Sequence, residues 1–500
     1  MTLISRILGL IRDIVLAALF GAVSGFDAFI VALKIPNFLR RLFAEGAFSQ
    51  AFVPVLSEYK TKEEHFAVQR LVSYVAGNLM AVLLAISIIA SLAAPAIIYI
   101  FAHGFAADPS QLELASQMLR ITFPYILFIS LTAFAGGILN SYSIFAPSAI
   151  TPVLFNLSLI GCALFLAPHL SEPVKALAYA VLIAGILQLA FQFPFLKKLK
   201  MLPKPQINFR DPGVKKVLRL MLPALLGSSV AQISLLVDTL FASFLVSGSI
   251  SWLYYSDRLM GFPLGIIGVA LATVILPHLA RTYAENSPNV FSDTLDWAIR
   301  SVLLFGIPSA LGLALLAGPL MVTLFHYGQF SEVAVLKSSG SLMAYALGLP
   351  AFMMVKIIAS AYYARQDVRT PVKIALIALL ANLILNFAFI LPLAHVGLAL
   401  ATSLASLLNV ALLTILLLQR KIYIPAPGWT IFLLRLTLAS IIMVVFIYYF
   451  NPALTQWFKW HLSQRIFTLF IIITGASATY FGSLGLLGMR WERKQKRAIN

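Results

Sequence analysis

Ionisable side chains are scarce in this chain, and several of them fall where they are costly. Of 500 residues, 61% are hydrophobic and 11% charged. Yet Arg6, Arg12 and Asp13 interrupt the first apolar run, and Asp27, Lys34, Arg40, Arg41 and Glu45 the second. Asp238 falls in the seventh run, and Asp257 and Arg258 in the eighth. An ion at the centre of a membrane helix costs roughly 2.5–3.5 kcal/mol, so such residues face a protein interior or water and mark function. Arginine keeps its charge when buried and presents a planar fork of donors that suits phosphate or carboxylate. A cavity lined by Arg6, Arg12, Arg41 and Arg258 suits a pyrophosphate better than a drug cation. On a helix Arg6 and Asp13 share a face, with Arg12 about a third of a turn from Arg6 and Gly9 able to bend the segment between them. The competing reading is structural ion pairing, Arg12 with Asp27 or Arg41 with Glu45. It is weaker for the set, because arginines outnumber carboxylates in the first run.

Other chemistries lack their residues. There is no G-x-x-x-x-G-K-[ST] loop and no Gly-Lys pair, so the chain is not expected to hydrolyse ATP itself. No His, Cys and Asp cluster has metal-site spacing. The seven histidines fall mostly at predicted helix ends or loops, and the one cysteine, Cys162, reads as a small core residue. No catalytic constellation is present, so a transporter is expected rather than an enzyme, without cofactor. The net charge of +18 is explained by basic cytoplasmic loops and a positively lined cavity rather than by nucleic acid.

The elements that must position these residues are membrane helices. Mean hydropathy is +0.94, and a soluble chain is about a quarter charged. The apolar runs are continuous, as spanning helices require, and do not alternate as in a closed barrel. Val75 to Ala102 contains no Asp, Glu, Lys or Arg. Fourteen helices are predicted, the first six at 3–21, 27–57, 70–102, 113–141, 147–167 and 173–196. Six more lie at 214–246, 250–282, 291–325, 335–364, 371–392 and 396–419, and two at 430–450 and 465–488. One set of loops is basic: Lys60, Lys62 and Arg70; Lys197 to Lys216; Arg365 and Arg369; Arg420 and Lys421; and Arg490 to Arg497. The opposite loops contain little basic charge besides Lys175. Both termini are therefore expected in the cytoplasm. The N-terminus does not read as a cleaved signal peptide, and the chain opens almost inside its first span.

The two halves echo each other. Ile100-Phe101-Ala102-His103-Gly104 is similar to Leu324-Phe325-His326-Tyr327-Gly328, and Val53-Pro54-Val55-Leu56 to Leu276-Pro277-His278-Leu279. Pro147 pairs with Pro371, and Asn156-Leu157-Ser158-Leu159 with Asn382-Leu383-Ile384-Leu385. A shared spacing near 224 residues that holds six helices predicts two parallel repeats, with a substrate site between the lobes. The expected division is an N-lobe at 1–200, a basic linker at 201–213 and a C-lobe at 214–420. Two extra helices at 428–489 and a basic tail at 490–500 complete it.

Two stretches are dense enough to compare with known families. One is Ser5-Arg6-Ile7-Leu8-Gly9-Leu10-Ile11-Arg12-Asp13. The other runs from Asp27 through Lys34-Ile35-Pro36-Asn37, Arg40-Arg41, Glu45-Gly46 and Gln50 to Pro54. Phe123-Pro124-Tyr125-Ile126, Ser251-Trp252-Leu253-Tyr254-Tyr255-Ser256-Asp257-Arg258 and Tyr363-Ala364-Arg365-Gln366-Asp367 extend the match. Together they resemble the signature of the MurJ (MviN) family of lipid II flippases, over essentially the whole chain. The resemblance implies an all-α integral membrane fold of the MOP exporter superfamily, two six-helix lobes in a V plus two helices bordering a lipid groove. It implies lipid II, an undecaprenyl-pyrophosphate disaccharide-pentapeptide, as substrate, moved from the inner to the outer leaflet for cell-wall synthesis. The substrate-binding set it implies is Arg6, Arg12, Asp13, Asp27, Arg41, Glu45, Ser251 and Arg258. A sodium site formed by Asp238, Asn382, Asn386 and Thr402 is also implied; polar helix packing is the competing reading, since only Asp238 is a carboxylate. Sodium or the membrane potential would drive an alternating-access cycle in a monomer, with cell-wall synthesis proteins as further partners. Three other readings remain: a flippase for another lipid-linked oligosaccharide, a multidrug or cation antiporter, and an uncoupled scramblase or scaffold.

Overall fold

A computed structural model describes residues 2–41 and 48–489. Glu45 and the basic residues Arg490 to Arg497 lie outside them. The described residues form helices and no strand. Ten helical stretches are long and apolar enough to cross a bilayer by length and composition, the longest being Arg369–Gln419 with 51 residues. Where they are described, the predicted segments lie largely on helix, without fixing the number of crossings at fourteen.

The chain separates into two compact units. The first comprises Met1–Ser251 with Tyr327–Phe330, the second Trp252–His326 with Ser331–Asn500. In the first unit lie α1 (Thr2–Phe20), α2 (Ser24–Arg40), α3 (Ser49–Lys62), α4 (His65–Leu92) and α5 (Ala94–Phe101). These are followed by α6 (Pro109–Thr122), α7 (Tyr125–Ser141), α8 (Ala146–Gly161), α9 (Lys175–Lys198) and α10 (Pro212–Ser243). α11 (Ser249–Pro263) starts in the first unit and runs into the second. The second unit continues with α12 (Val269–Ala284), α13 (Pro288–Leu315), α14 (Ala317–Phe325), α15 (Glu332–Ala364) and α16 (Arg369–Gln419). It closes with α17 (Trp429–Phe450), the short α18 (Leu454–Lys459) and α19 (Leu462–Leu486).

Local chemistry sets several of these ends. Asp211 accepts from the amides of Gly213 and Val214 at 2.9 and 3.1 Å, with Pro212 at the first helical position, so α10 begins there. Asp108 and Pro109 start α6 in the same way. The linker before α10 is strapped along α4. Gln206 N donates to Ser73 O, and Asn78 exchanges two bonds of 2.9 Å with the backbone of Asn208. Under α3, α4 and α7 the rings of Phe48, Phe52 and Phe134 meet at 4.8–6.0 Å in the core of the first unit. In the second unit α17 and α19 pack as a pair, and Tyr480 of α19 donates to Leu304 O on α13 at 2.8 Å. Arg465 donates to the carbonyls of Trp457, Phe458 and Val322. The pair leaves Leu434, Ile441, Phe467 and Phe470 exposed, as lipid-facing helices do.

The repeat is visible in where helices break. α4 gives way to α5 at Ala93, and α13 to α14 at Leu316, 223 positions on, with similar backbone angles at the two residues. α16 changes direction at Ala394, two residues after Pro392, where φ is 49° and ψ −129°. The two predicted segments 371–392 and 396–419 meet there.

Candidate functional site

α1 brings the first charged cluster into the protein. Arg12 and Asp13 are both buried. The Arg12 guanidinium donates to Asp13 Oδ1 from Nη2 at 2.6 Å and from Nε at 2.9 Å, and from Nη1 to Asn156 Oδ1 at 2.9 Å. Asn156 Nδ2 in turn donates to Ser5 O at 3.1 Å. Adjacent residues on a helix point about 100° apart, so the long arginine side chain has to fold back to reach its neighbour. The result is a neutralised knot that ties α1 to α8. Asn156 entered the sequence reading only as a repeat marker. A signal was available, since a buried amide in an apolar helix needs a partner.

The competing ion-pair reading joined Asp27 to Arg12; in the structure Arg12 bonds Asp13, and Asp27 is held elsewhere. Its buried carboxylate accepts from Gly248 N at 2.6 Å, from Ser251 N at 2.8 Å and from the Ser251 hydroxyl. The donors are backbone amides at the start of α11. A helix N-terminus offers unpaired N–H groups and a positive dipole end, which suits a carboxylate. Seven residues further along α2, Lys34 Nζ donates to Thr239 Oγ1 on α10 at 2.9 Å. α2 is thus fastened at two levels within the first unit, once by an anion and once by a cation. Ser251 is brought to Asp27 as a donor.

The other arginines are placed differently. Arg6 is half-buried on α1, and Arg41, just beyond α2, is exposed. Arg258 of α11 belongs to the second unit, is exposed beside Asp257, and stacks its guanidinium 4.8 Å from the centre of the Tyr254 ring. Glu45 lies outside the described residues. Of the sodium-site residues, Asn386 Nδ2 donates to Asn382 Oδ1 at 3.3 Å and Asn382 Nδ2 to Thr402 Oγ1 at 3.4 Å, all on α16. Asp238 is half-buried on α10 in the first unit. Among the described residues no group of three or more His, Cys, Asp or Glu has the arrangement of a metal site.

Chemically, these residues can do two things. The Arg12–Asp13–Asn156 knot and the Asp27 clamp hold helices together, while Arg6 is half-buried and Arg41 and Arg258 present guanidinium groups at the surface, a side chain whose planar fork suits phosphate or carboxylate. A family model described as "Lipid II flippase MurJ" matches residues 16–468. A Haemophilus influenzae protein named "Probable lipid II flippase MurJ" is 44% identical, with 98% of each chain covered. One from Burkholderia cenocepacia named "Lipid II flippase MurJ" is 41% identical over 99% of this chain and 97% of that one. The solved structure of "Lipid II flippase MurJ, inward closed conformation" matches with a TM-score of 0.80 at 30% identity, covering 97% and 98% of the two chains. An inward-facing multidrug resistance MATE transporter of the MOP superfamily matches with a TM-score of 0.67 at 15% identity, a likeness of fold alone.

Proposed function

The chain belongs to the MurJ family of lipid II flippases, and from that premise we propose that its exposed arginines carry the pyrophosphate of lipid II during transport. Membership makes it a transporter rather than a catalyst, a multi-pass protein of the bacterial inner membrane, with lipid II as its substrate. The observation that carries the finer reading is the placement of Arg6, Arg41 and Arg258. Arg41 and Arg258 are exposed and Arg6 half-buried, cations on or beside helices rich in apolar residues. Arginine forks bind phosphate oxygens in pairs, and the binding strengthens where water is excluded.

In this reading the chain crosses the membrane fourteen times with both termini in the cytoplasm, and works as a monomer by alternating access. The polyprenyl tail stays in lipid while the headgroup passes. A positive site moving in the membrane field gains about 2.3 kcal/mol per charge per 100 mV, so potential alone can bias the cycle. Sodium held by Asp238, Asn382, Asn386 and Thr402 is the alternative source of bias, and replacing sodium with another monovalent cation separates the two. Cell-wall synthesis proteins are proposed as further partners.

Complementation tests the reading. The chain is expressed in a bacterium depleted of its own lipid II flippase, and outer-leaflet lipid II is measured with an extracellular degrading enzyme. Restored growth with restored exposure is expected. Arg258→Ala is expected to insert normally and to lower exposure on the order of tenfold or more, the loss of one charge-assisted pair. Normal exposure with Arg258→Ala would remove Arg258 from the substrate site.

A further inference from the structure

The link between α16 and α17 is held by a clasp that nothing above requires. Asp296 of α13, 4% exposed, accepts through Oδ1 from the Tyr423 hydroxyl at 2.6 Å, from Trp429 Nε1 at 2.7 Å and from Ala426 N at 3.2 Å. Its Oδ2 lies 2.7 Å from Arg300 Nε. Arg300 Nη2 then donates to the carbonyls of Ala426 and Pro427 at 3.1 Å each, and the guanidinium stacks 4.9 Å from the Trp429 ring. One turn earlier, Ser292 Oγ donates to Ile424 O and accepts from Ile424 N. Three residues on successive turns of α13, Ser292, Asp296 and Arg300, thus immobilise the link, which a connection between two helices does not by itself need.

Beneath the clasp is a cavity of about 550 Å³. Its walls are Ile299 of α13, Met354 and Ile358 of α15, and Val410 and Leu418 of α16; Tyr423 and Trp429 roof it. Of the polar lining groups, Thr414 is already bonded to Val410 O at 2.7 Å, the Tyr423 hydroxyl and Trp429 Nε1 are bonded to Asp296, and Thr430 is exposed. Gly428 at the rim has φ +89°, and a Cβ there would meet open space. The size falls within the roughly 300–1,000 Å³ of small-ligand sites, but such ligands need several convergent polar groups in the wall. Water needs two to four polar partners, whereas Ile299, Met354, Ile358, Val410 and Leu418 make most of this lining apolar. Hydrocarbon suits it. The link itself is basic: Lys421 is exposed two residues from the roof, and Arg420 beside it is exposed while donating to Asp367 Oδ2 at 3.2 Å.

We propose that this cavity binds one acyl chain of an anionic phospholipid, its headgroup resting on the Arg420–Lys421 side of the link. The lipid comes from the cytoplasmic leaflet, which rests on the orientation proposed above, and it braces the start of α17. Asp296 is the positioning residue that keeps the roof in place.

The test uses purified, delipidated full-length protein. Dioleoyl phosphatidylglycerol with brominated chains is titrated, and the quenching contributed by Trp429 is read as the difference between wild type and Trp429→Phe. Quenching of that component is expected, together with a rise in melting temperature on adding the unbrominated lipid. Thr414→Phe, which fills the cavity, is expected to weaken both roughly tenfold. Dihexanoyl phosphatidylglycerol, with the same headgroup and short chains, is expected to give neither. An unquenched Trp429 in wild type overturns the proposal even if Thr414→Phe fails to fold, as does an equal response to the short-chain lipid. An equal response to dioleoyl phosphatidylcholine overturns the headgroup assignment. None of these readings involves transport, and labelling of Lys421→Cys from either side of intact cells tests the leaflet separately.

Discussion

At the scale of single residues, the arginines divide by burial. Arg12 is buried and bonded to Asp13 and Asn156, whereas Arg41 and Arg258 are exposed. Removing one member of a buried pair strands the other, at a cost of about 3–5 kcal/mol, whereas removing both is far milder. Arg12→Ala is therefore expected to reduce the folded yield, read by size-exclusion chromatography and melting temperature, and Arg12→Ala/Asp13→Ala to recover much of it. Arg258→Ala is expected to leave both readings unchanged. If the double variant unfolds as readily as Arg12→Ala, the knot is not what Arg12 supplies. Asp27 shows the same economy in another form: its negative charge is met by backbone amides rather than by a side-chain cation.

At the scale of elements, ends and breaks matter more than interiors. Ala394 adopts a backbone conformation that an L side chain tolerates at about 1–3 kcal/mol. Ala394→Gly is expected to raise the melting temperature by an amount worth roughly 1 kcal/mol, since relief of strain outweighs the added freedom of the unfolded chain. An unchanged or lower value would mean that the surrounding packing, not the backbone, sets the angle. At the far end of α3, outside the membrane, Glu58 is bound by Lys216 at the start of α10 and by Lys62, 2.5 and 3.3 Å away. The hydrogen bond from Lys216, then that from Lys62, hold its carboxyl below the usual value. A depressed carboxylate adds stability above its unfolded pKa, and that contribution is lost as pH falls through the folded value. Melting temperature followed from about pH 6 down to pH 3 is expected to fall less steeply in Glu58→Gln than in wild type.

At the scale of the molecule, the two units repeat one plan, most plainly in the paired breaks at Ala93 and Leu316. The proposed plan of six helices per repeat would return the chain to the same side and put the charged loops on one face. With Cys162 replaced by serine, single cysteines at Lys62 and Lys421 are expected to react only with a membrane-permeant thiol reagent in intact cells. Cysteines at Glu113 and Glu332 are expected to react with an impermeant one. The reverse pattern would invert the proposed orientation.

How much was legible in the sequence follows from the range of each interaction. Helices and their breaks are written locally: apolar runs near twenty residues, Pro212 after Asp211, Pro392 before Ala394. The repeat is written as recurring residues at a shared spacing, and the family as the dense charged motifs of the first two helices. Partnerships are not local. Arg12 finds its acceptor on α8, 144 residues away, and Asp27 its donors 221 and 224 residues away. Asp296 was never singled out, because one carboxylate in an apolar helix does not reveal that a link more than a hundred residues later supplies three donors to it. Composition and periodicity determined the solvent, the class of fold and the excess of positive charge. Only the tertiary structure decided which of those charges are spent inside the protein and which remain exposed, since pairing depends on distances that chain order does not encode.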